Sequence, residues 1–295
     1  MAGVGGSAVR EATSVGASSD AGPSQGGKAP LGGSAVREAT SVGVIWPAEA
    51  IWEAVAPTLA NFTVEVLPQL DSTNSELMRR AHAGQTEPIL LVVENQTAGR
   101  GRLGRDWLSQ GSNTPALTFS LGMPLHMADW SGLSLAVGVS VASSLHPELQ
   151  LKWPNDVWFK GRKLAGILIE TVNIGSTRFA VIGVGLNIGP QDTDGLSTAP
   201  AWLQELLPDV DAPQALLCIA APLVQAVQRF EAQGLAPFLK TFAARDALAG
   251  RAVSLSDGTH GQAQGVDGRG ALLVHTDAGL KKISSAEVSV RPMAN

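Results

Sequence analysis

The 295-residue sequence contains a single cysteine, Cys218, and this scarcity excludes two kinds of site. A disulfide within the chain needs a second cysteine, and a zinc site made of cysteines needs several. Cys218 lies in an apolar helical pattern, where we expect it to be a buried small hydrophobic residue. The five histidines are scattered without metal-ligand spacing, and no Ser–His–Asp or Cys–His grouping can be recognised. The sequence therefore offers no pattern for a histidine metal centre or for nucleophilic catalysis.

An excess of basic residues and a long apolar run are also missing. Lysine and arginine number 21 against 26 acidic residues, and the net charge of -5 argues against a general nucleic-acid binder. No uninterrupted apolar run reaches the ~18 residues that span a bilayer. The N-terminus lacks the charged and apolar regions of a secretory signal. We therefore expect a cytoplasmic protein that binds neither DNA nor a membrane.

The first 43 residues differ in composition from the rest. The segment GGSAVREATSVG occurs at residues 5–16 and again at 32–43, with a spacer rich in Gly, Ser, Pro and Ala between the copies. Two copies are too few for a solenoid, and the repeat has almost no bulky apolar side chains. We expect residues 1–43 to be a disordered low-complexity tail or an over-long translation start.

From residue 44 onward the sequence predicts a folded α+β protein. The run ILLVVE (89–94) is typical of a central strand, and residues 213–233 have the spacing of a long helix. After residue 249 the pattern changes to short alternating strands between glycine turns, which is typical of a small β-barrel. We therefore expect a mixed α+β domain over residues 44–248 and a small β-barrel over 249–295.

Two polar clusters interrupt the apolar pattern in the first half. The DSTN turn (residues 71–74) precedes a predicted helix, so Asp71 or Ser72 is expected to cap that helix. Capping does not require all four polar residues, and a ligand-facing turn is the alternative. The arginine loop, GRGRLGRDW (residues 99–107), follows a buried strand. Glycines let backbone amides approach a phosphate closely. The planar, charged guanidinium group of arginine binds phosphate or carboxylate oxygens through two N–H donors. The loop therefore indicates anion binding, although it fits neither the P-loop nor the GxGxxG pattern.

Two more clusters follow on later strands. Lys152 and Asp156 flank the WPND turn (residues 153–156), where a salt bridge across a hairpin is the structural alternative to ligand binding. Asp156 also suits Mg²⁺, which binds one or two carboxylates together with phosphate oxygens. Lys163 begins the apolar run LAGILIE, and a partly buried ammonium needs an anionic partner such as a substrate carboxylate or phosphate. Asn187, in GVGLNIG, is a polar residue in an apolar strand, and its partner is either backbone or ligand.

Taken together, these clusters resemble the biotin–protein ligase family. The motifs STN, Q-x-A-GRGRxGR-x-W, KWPND-V, RKLAGILIE and GLNI occur in the family's order, and residues 251–291 are similar to its small SH3-like domain. The resemblance implies a mixed β-sheet flanked by helices, of the class II synthetase-like type found in biotin and lipoate ligases. It also implies a two-step reaction. ATP and biotin give biotinyl-5′-AMP, and biotin then passes to one lysine of a carrier domain.

Carried over position by position, the resemblance assigns roles to the polar clusters. The residues that it places around biotin or biotinyl-AMP are Ser72, Thr73, Asn74, Gln96, Arg100, Gly101, Arg102, Trp107, Lys163 and Asn187. The catalytic residues that it implies are Lys163, Arg102 and Lys152. Gln96 corresponds to the residue that holds the ureido ring, Trp107 to one that packs near adenine, and Asp156 to one on the ATP and Mg²⁺ side.

The resemblance also implies partners. The acceptor is expected to be the biotin carboxyl carrier protein of acetyl-CoA carboxylase or of a related biotin-dependent carboxylase, and a homodimer is one option for the assembly. Many family members carry an N-terminal DNA-binding domain, whereas this chain has only the tail there, so we expect a ligase without a DNA-binding role.

Three alternatives stay open. One is a lipoate–protein ligase or octanoyltransferase, which resembles biotin ligases in fold. The second is a binding module for an acidic peptide or nucleotide that has no turnover. The third is a biotin-responsive DNA-binding regulator.

Overall fold

The computed structural model describes residues 36–38, 44–107, 115–175, 177–191, 199–284 and 290–293. Most of the predicted tail lies outside these residues, but part of it does not follow the expectation of disorder. Val36–Glu38 forms a short strand that pairs in parallel with residues 64–66. The tail prediction is therefore wrong for these three residues, because their backbone completes the edge of a sheet. The division at residues 44–248 and 249–295 stays a prediction.

A mixed eight-stranded sheet is the centre of the described structure. Its strands are β1 (Val36–Glu38), β2 (Thr63–Leu70), β3 (Ile89–Gln96), β4 (Ala116–Leu125), β5 (Gln150–Lys152), β6 (Asp156–Phe159), β7 (Arg162–Ile174) and β8 (Thr177–Asn187). Their spatial order is β1-β2-β3-β4-β8-β7-β6-β5. The first three are parallel to one another, and the remaining neighbours are antiparallel. The predicted mixed sheet is thus confirmed.

Helices cover both faces of this sheet. They are α1 (Ala48–Val55), α2 (Thr73–His82), α3 (Leu133–Leu145), α4 (Ala212–Gln233) and α5 (Leu239–Arg245). The large core, which contains side chains of α1, α3 and α4, lies on one face and takes alternate residues such as Leu90 and Val92 of β3. On the other face, α2 packs Leu77 and Ala81 against Leu91 of β3 and Val181 of β8. The alternation of strand side chains between the two faces explains why β3 is apolar throughout.

Strand β2 is an element that the sequence analysis did not identify. Its alternating burial places Val64 and Val66 in the core while Glu65 and Leu67 lie between core and solvent. Pro68 interrupts the pattern, and a proline inside a run counts against a strand. Here the proline is tolerated, because β2 still pairs with β3 through Leu70 and Gln96.

The C-terminal segment forms a second, five-stranded antiparallel sheet. Its strands are β9 (Ala252–Leu255), β10 (His260–Val266), β11 (Leu272–Thr276), β12 (Gly279–Ile283) and β13 (Val290–Pro292), in the order β12-β11-β10-β9-β13. This arrangement is that of a small SH3-like domain, as the sequence indicates.

Helix α4 is long and apolar enough to cross a membrane by length and composition alone. Its side chains Leu216, Ile219 and Leu223 are buried in the large core, which is the usual place of such a helix in a protein interior. Cys218 lies on the opposite side of α4 and is exposed, so the expectation that it is buried is wrong.

Candidate active site

Small residues on three adjacent strands form the floor of a cavity on the α2 side of the sheet. Ser120 of β4 lies opposite Gly183 of β8, and in the next row Thr118 lies opposite Gly185. Gly166 of β7 continues that second row beside Gly185. Glycine within a strand marks a place where another group approaches the backbone closely. These residues therefore leave room above the sheet where larger side chains would fill it.

Two side chains already lie against this glycine floor. A Cβ atom at Gly183 would lie 2.1 Å from Asn74 Oδ1, and one at Gly185 would lie 2.3 Å from Trp107 Cε2. Neither contact is possible for a real side chain, so both positions require glycine. The cavity around them has a volume of about 460 Å³, including the part that is open to solvent.

The DSTN turn combines both roles that its sequence allowed. Ser72 Oγ accepts a hydrogen bond from the backbone N–H of Ser75 and so caps α2. Thr73, the first residue of α2, also lies at the cavity. The backbone N–H of Thr73 donates to Gln96 Oε1 at 2.8 Å, and its hydroxyl lies 3.2 Å from the same oxygen. Gln96 at the end of β3 thereby fixes the start of α2 at the cavity wall.

Asn74 is held by a buried network that crosses the sheet. Ser120 Oγ lies 2.7 Å from Asn74 Oδ1 and also 2.7 Å from Thr73 Oγ1. Because Oδ1 of the amide only accepts, the Ser120 hydroxyl donates its single hydrogen to Asn74. Asn74 Nδ2 donates to Glu170 Oε2 at 3.0 Å and to the carbonyl of Leu168 at 3.2 Å. Every polar atom of the Asn74 side chain thus has a partner.

The arginine loop folds back on itself over the cavity. Its backbone is closed by hydrogen bonds from Gly101 N to Arg105 O at 2.7 Å and from Trp107 N to Gly99 O at 2.9 Å. Leu103, at the tip, has a φ of 57° and is exposed. A positive φ is uncommon for a branched side chain and marks local backbone strain.

Each of the three arginines in this loop has a different environment. Arg100 forms an ion pair with Glu170 at 2.9 Å, which ties the loop to β7. Arg102 Nη1 donates to Asn155 Oδ1 of the WPND turn at 3.2 Å. Burial lowers the pKa of Arg102, and the charge of Arg105 lowers it further while Asp156 opposes the shift. Arg105 itself is exposed.

Trp107 ends the loop with its indole inside the cavity. The ring lies against Gly185 and Gly166, and Lys163 Nζ is 5.6 Å from its centroid, within cation–π distance. Trp107 Nε1 is buried and has no hydrogen-bond partner among the described residues.

The single carboxylate of Asp156 lies between two lysines. Lys163 Nζ is 2.8 Å from Asp156 Oδ1, and Lys152 Nζ is 3.6 Å from Oδ2. Burial lowers the pKa of Lys152, and the nearby charge of Lys163 acts in the same direction, whereas Asp156 raises it. The salt-bridge alternative for Lys152 and Asp156 is therefore present, and Lys163 has a protein anion as its partner. The cluster still carries more positive than negative charge.

The structure brings most of the predicted site residues together. Nine of them line the cavity: Ser72, Thr73, Asn74, Gln96, Arg100, Gly101, Arg102, Trp107 and Lys163. Lys152 and Asp156 do not line the cavity and reach it through Lys163. Asn187 is also not a lining residue. It is buried, and its Nδ2 donates to the carbonyl of Ala201 at 2.9 Å, so the amide nitrogen has a backbone partner, and the binding role that the resemblance implies stays a prediction.

Comparison with known proteins identifies the family. Residues 66–187 match the model of the biotin/lipoate A/B protein ligase family, and residues 250–291 match the biotin protein ligase C-terminal domain. The chain is 34% identical over 241 residues to the biotin–[acetyl-CoA-carboxylase] ligase of Paracoccus denitrificans, covering 76% of this chain and 98% of that protein. This chain belongs to the biotin protein ligase family.

Two further relatives agree with this assignment. The bifunctional ligase/repressor BirA of Escherichia coli K12 is 34% identical over 239 residues, which cover 78% of this ligase and 74% of BirA. Among solved structures, the biotin protein ligase from Aquifex aeolicus in complex with biotin and ATP is 29% identical with a TM-score of 0.67. The match covers 78% of this ligase and 99% of that chain.

The residues around Asp156 do not suit direct coordination of Mg²⁺ by this ligase. Both carboxylate oxygens face lysine ammonium groups, and among the described residues no three His, Cys, Asp or Glu side chains cluster. The arrangement thus disfavours the prediction that Asp156 ligates the metal. Mg²⁺ in such sites is commonly held by substrate phosphates and water, so in this ligase it would enter with ATP.

Several site residues of the ligase were missed by the sequence analysis. Thr118 and Ser120 are polar residues in the otherwise apolar strand β4, which is a recognisable signal. Asn155 lies within the KWPND motif, but the motif alone does not indicate that its Oδ1 accepts from Arg102. Glu170, the last residue of LAGILIE, was not assigned because its partners Asn74 and Arg100 are far away in sequence.

Replacing Ser120 by alanine is expected to destabilise the ligase. Asn74 Oδ1 would lose its donor in a buried site, and an unsatisfied buried acceptor costs about 1–3 kcal/mol. The free energy of unfolding from urea titration measures this loss. Ser140 on α3 is the matched control, because its buried hydroxyl has no partner among the described residues. Ser140→Ala is expected to be neutral or slightly stabilising, and equal losses in both variants would contradict the assigned network.

Proposed function

We propose that this ligase joins biotin to a specific lysine of a biotin carboxyl carrier domain through biotinyl-5′-AMP. In the first step, a biotin carboxylate oxygen attacks the α-phosphorus of ATP, and the bond to pyrophosphate breaks. In the second step, the lysine ε-amine attacks the carbonyl carbon of the mixed anhydride, AMP leaves, and the amine loses a proton. The observation that carries the proposal is a cavity lined by a polar amide network and by the cations of Lys163 and Arg102, with Lys152 behind them through Asp156.

The amide end suits the head group of biotin. Ser72, Thr73 and Asn74 lie together at the start of α2, and Gln96 faces them from β3. A ureido ring presents N–H donors and one carbonyl acceptor, which hydroxyl and amide side chains complement. Because these side chains are already ordered by Ser120 and Glu170, they need little rearrangement to bind a ligand.

The cationic end suits the reaction between two anions. A carboxylate must approach a triphosphate, and their repulsion falls when fixed positive groups lie beside both. Lys163 and Arg102 line the cavity, and Lys152 adds charge behind them through Asp156. An arriving anion competes with Asp156 for Lys163, which is 41% exposed and therefore accessible from the cavity.

Trp107 and the arginine loop are proposed to enclose the adenylate. The indole lies on the flat glycine floor beside Lys163, where an aromatic base could stack on it or replace it. Closing the loop over the anhydride excludes water and protects the intermediate from hydrolysis.

The carrier domain is proposed to dock at the free edge of β7. Strand β6 pairs with β7 only as far as Gly166, so beyond Ile167 β7 has no neighbour on that side among the described strands. An unpaired edge is a template for a strand of another chain. Arg178 and Arg102 lie near this edge and suit an acidic partner. A second copy of the chain is the alternative occupant, and it would form the homodimer that the resemblance leaves as one option. We place the reaction in the cytoplasm, as the sequence analysis expects.

The decisive experiment supplies the full chain with MgATP, a carrier domain and either biotin or lipoate. We expect pyrophosphate release and a biotinylated carrier by intact-mass analysis. Efficient transfer of lipoate with none of biotin would support the lipoate ligase alternative. Binding without pyrophosphate release would support the binding-module alternative, and a gel shift with DNA at low salt tests the regulator.

Arg102→Ala is expected to keep the fold and to let biotinyl-AMP escape faster. The variant would lose the proposed hydrogen bond from the Arg102 guanidinium to the adenylate phosphate. A hydrogen bond from a charged donor is worth about 1.5–3 kcal/mol, which corresponds to release roughly 10- to 150-fold faster. The rate of release is measured as the fraction of radiolabelled adenylate that stays bound after rapid gel filtration. Arg105→Ala, an exposed arginine of the same loop, is the control and should retain the adenylate. Equal retention by both variants contradicts the role of Arg102.

Lys163→Ala is expected to slow adenylate formation by about 10²- to 10³-fold, the usual cost of removing one group that stabilises transition-state charge. Biotin-dependent exchange of pyrophosphate into ATP measures this step. Lys160→Ala is the control, since Lys160 is exposed and stacks on Phe159 away from the cavity. Transfer from synthetic biotinyl-AMP is measured separately, and a defect confined to that step would mean that Lys163 has been misplaced.

A further inference from the structure

The WPND turn connects the active site with the C-terminal sheet. Trp153 is fully buried, and its Nε1 donates to the carbonyl of Gly270 at 2.9 Å. Gly270 belongs to the turn between β10 and β11, far from Trp153 in sequence. This hydrogen bond therefore joins the two parts of the ligase at a buried point, where water cannot replace the lost partner.

The position of the Gly270 carbonyl is fixed from its own side. Gly270 N donates to Asp267 O at 2.9 Å, and Asp267 Oδ1 accepts from the backbone N–H groups of Arg269 and Ala271 at 2.9 and 3.0 Å. These bonds hold residues 267–271 in a single tight turn. The acceptor for Trp153 is thus a rigid group rather than a mobile loop.

Gly270 also fits closely against the catalytic part of the chain. Its φ is +81°, and a Cβ there would lie 3.0 Å from the Cα of Gly132 and 3.1 Å from Leu135 Cδ1. Gly132 immediately precedes α3. A side chain at position 270 would therefore push the whole turn, with its carbonyl, away from Trp153.

The last two residues of the turn, Asn155 and Asp156, contact the cationic side chains of the site. Asn155 is bound to Ile167 of β7 by two hydrogen bonds, at 3.0 and 2.8 Å, and its Oδ1 accepts from Arg102. Asp156 holds Lys152 and Lys163. Small shifts of the turn are transmitted to all three cationic side chains, whereas the Asn74 side chain is held by Ser120, by Glu170 and by the carbonyl of Leu168.

We propose that Trp153 is a positioning residue, through which the C-terminal sheet sets the place of the WPND turn and hence of the cations that meet ATP. The inference rests on the proposed function, because it assigns this end of the cavity to the nucleotide. A second anchor keeps the turn folded when Trp153 is changed, since Ser134 Oγ of α3 donates to the carbonyl of Pro154 at 3.0 Å. Loss of the indole N–H therefore loosens the turn and does not unfold it.

Trp153→Phe tests the proposal because it keeps a buried aromatic ring and removes the donor. We expect the KM for ATP in pyrophosphate exchange to rise about tenfold, the loss expected for one buried hydrogen bond. The Kd for biotin, measured by calorimetry without ATP, is expected to stay within about twofold, since the amide network is untouched. Amide hydrogen exchange at residues 155–157 is expected to become faster.

Gly270→Ala provides the same test without changing Trp153, and Gly265→Ala is its matched control. Both glycines have a φ of +81°, so alanine causes similar backbone strain at each, but the space around Gly265 is empty within 4 Å. We expect Gly270→Ala to reproduce the rise in KM and the faster exchange, and Gly265→Ala to do neither. Thermal unfolding of all three variants is the check on the fold, and we expect a cooperative transition in each.

The outcomes separate this proposal from the proposed function. Unchanged KM for ATP, equal losses of ATP and biotin affinity, or equal effects of Gly270→Ala and Gly265→Ala would overturn the positioning role. Absence of biotin-dependent pyrophosphate exchange in the unaltered chain would instead overturn the proposed function. In that case the hydrogen-exchange comparison still decides whether Trp153 holds the turn.

Discussion

The active site depends on the absence of side chains at one place on a β-sheet. Gly166, Gly183 and Gly185 lie on neighbouring strands and face the same side, so the backbone itself is the floor of the cavity. Elsewhere on this face, Phe179 and Val181 occupy the corresponding positions and pack under α2. The sheet is therefore a packed core at one end and a binding surface at the other. The difference between the two ends is that glycines occupy the positions on these strands where larger apolar residues stand at the packed end.

The site contains fewer acidic than basic side chains. Asp156 is shared by Lys152 and Lys163, and the carboxylate of Glu170 is engaged by Arg100. Burial lowers the pKa of Lys152, so further negative charge nearby would favour its protonated form. A nucleotide polyphosphate supplies that charge. Until such a ligand binds, Lys152 and Lys163 share Asp156 as their protein partner.

The sequence revealed the parts of the site that are contiguous and chemically unusual. The arginine loop, the DSTN turn and the WPND turn each stand out over a few residues, and the structure places them around one cavity. Ser120 and Glu170 could not be assigned in this way. Their partners lie on helix α2 and in the arginine loop, and only the packing of these two elements against the sheet brings Ser120 beside Asn74 and Glu170 beside Arg100. Asn187 stands out equally in the sequence, but it lies outside the cavity, and its amide nitrogen is bound by the backbone carbonyl of Ala201. Strand β2 was missed because Pro68 breaks its alternation.

Glu170 has a consequence for how the two ends of the cavity communicate. One of its oxygens accepts from Asn74, and the other accepts from Arg100 of the arginine loop. Any ligand that draws Asn74 toward itself changes how strongly this carboxylate holds the loop, and ordering of the loop changes the carboxylate that Asn74 faces. By thermodynamic reciprocity, the two events alter each other's free energy by the same amount. Through the single carboxylate of Glu170, a ligand bound beside Asn74 would thus change the stability of the arginine loop over the cavity.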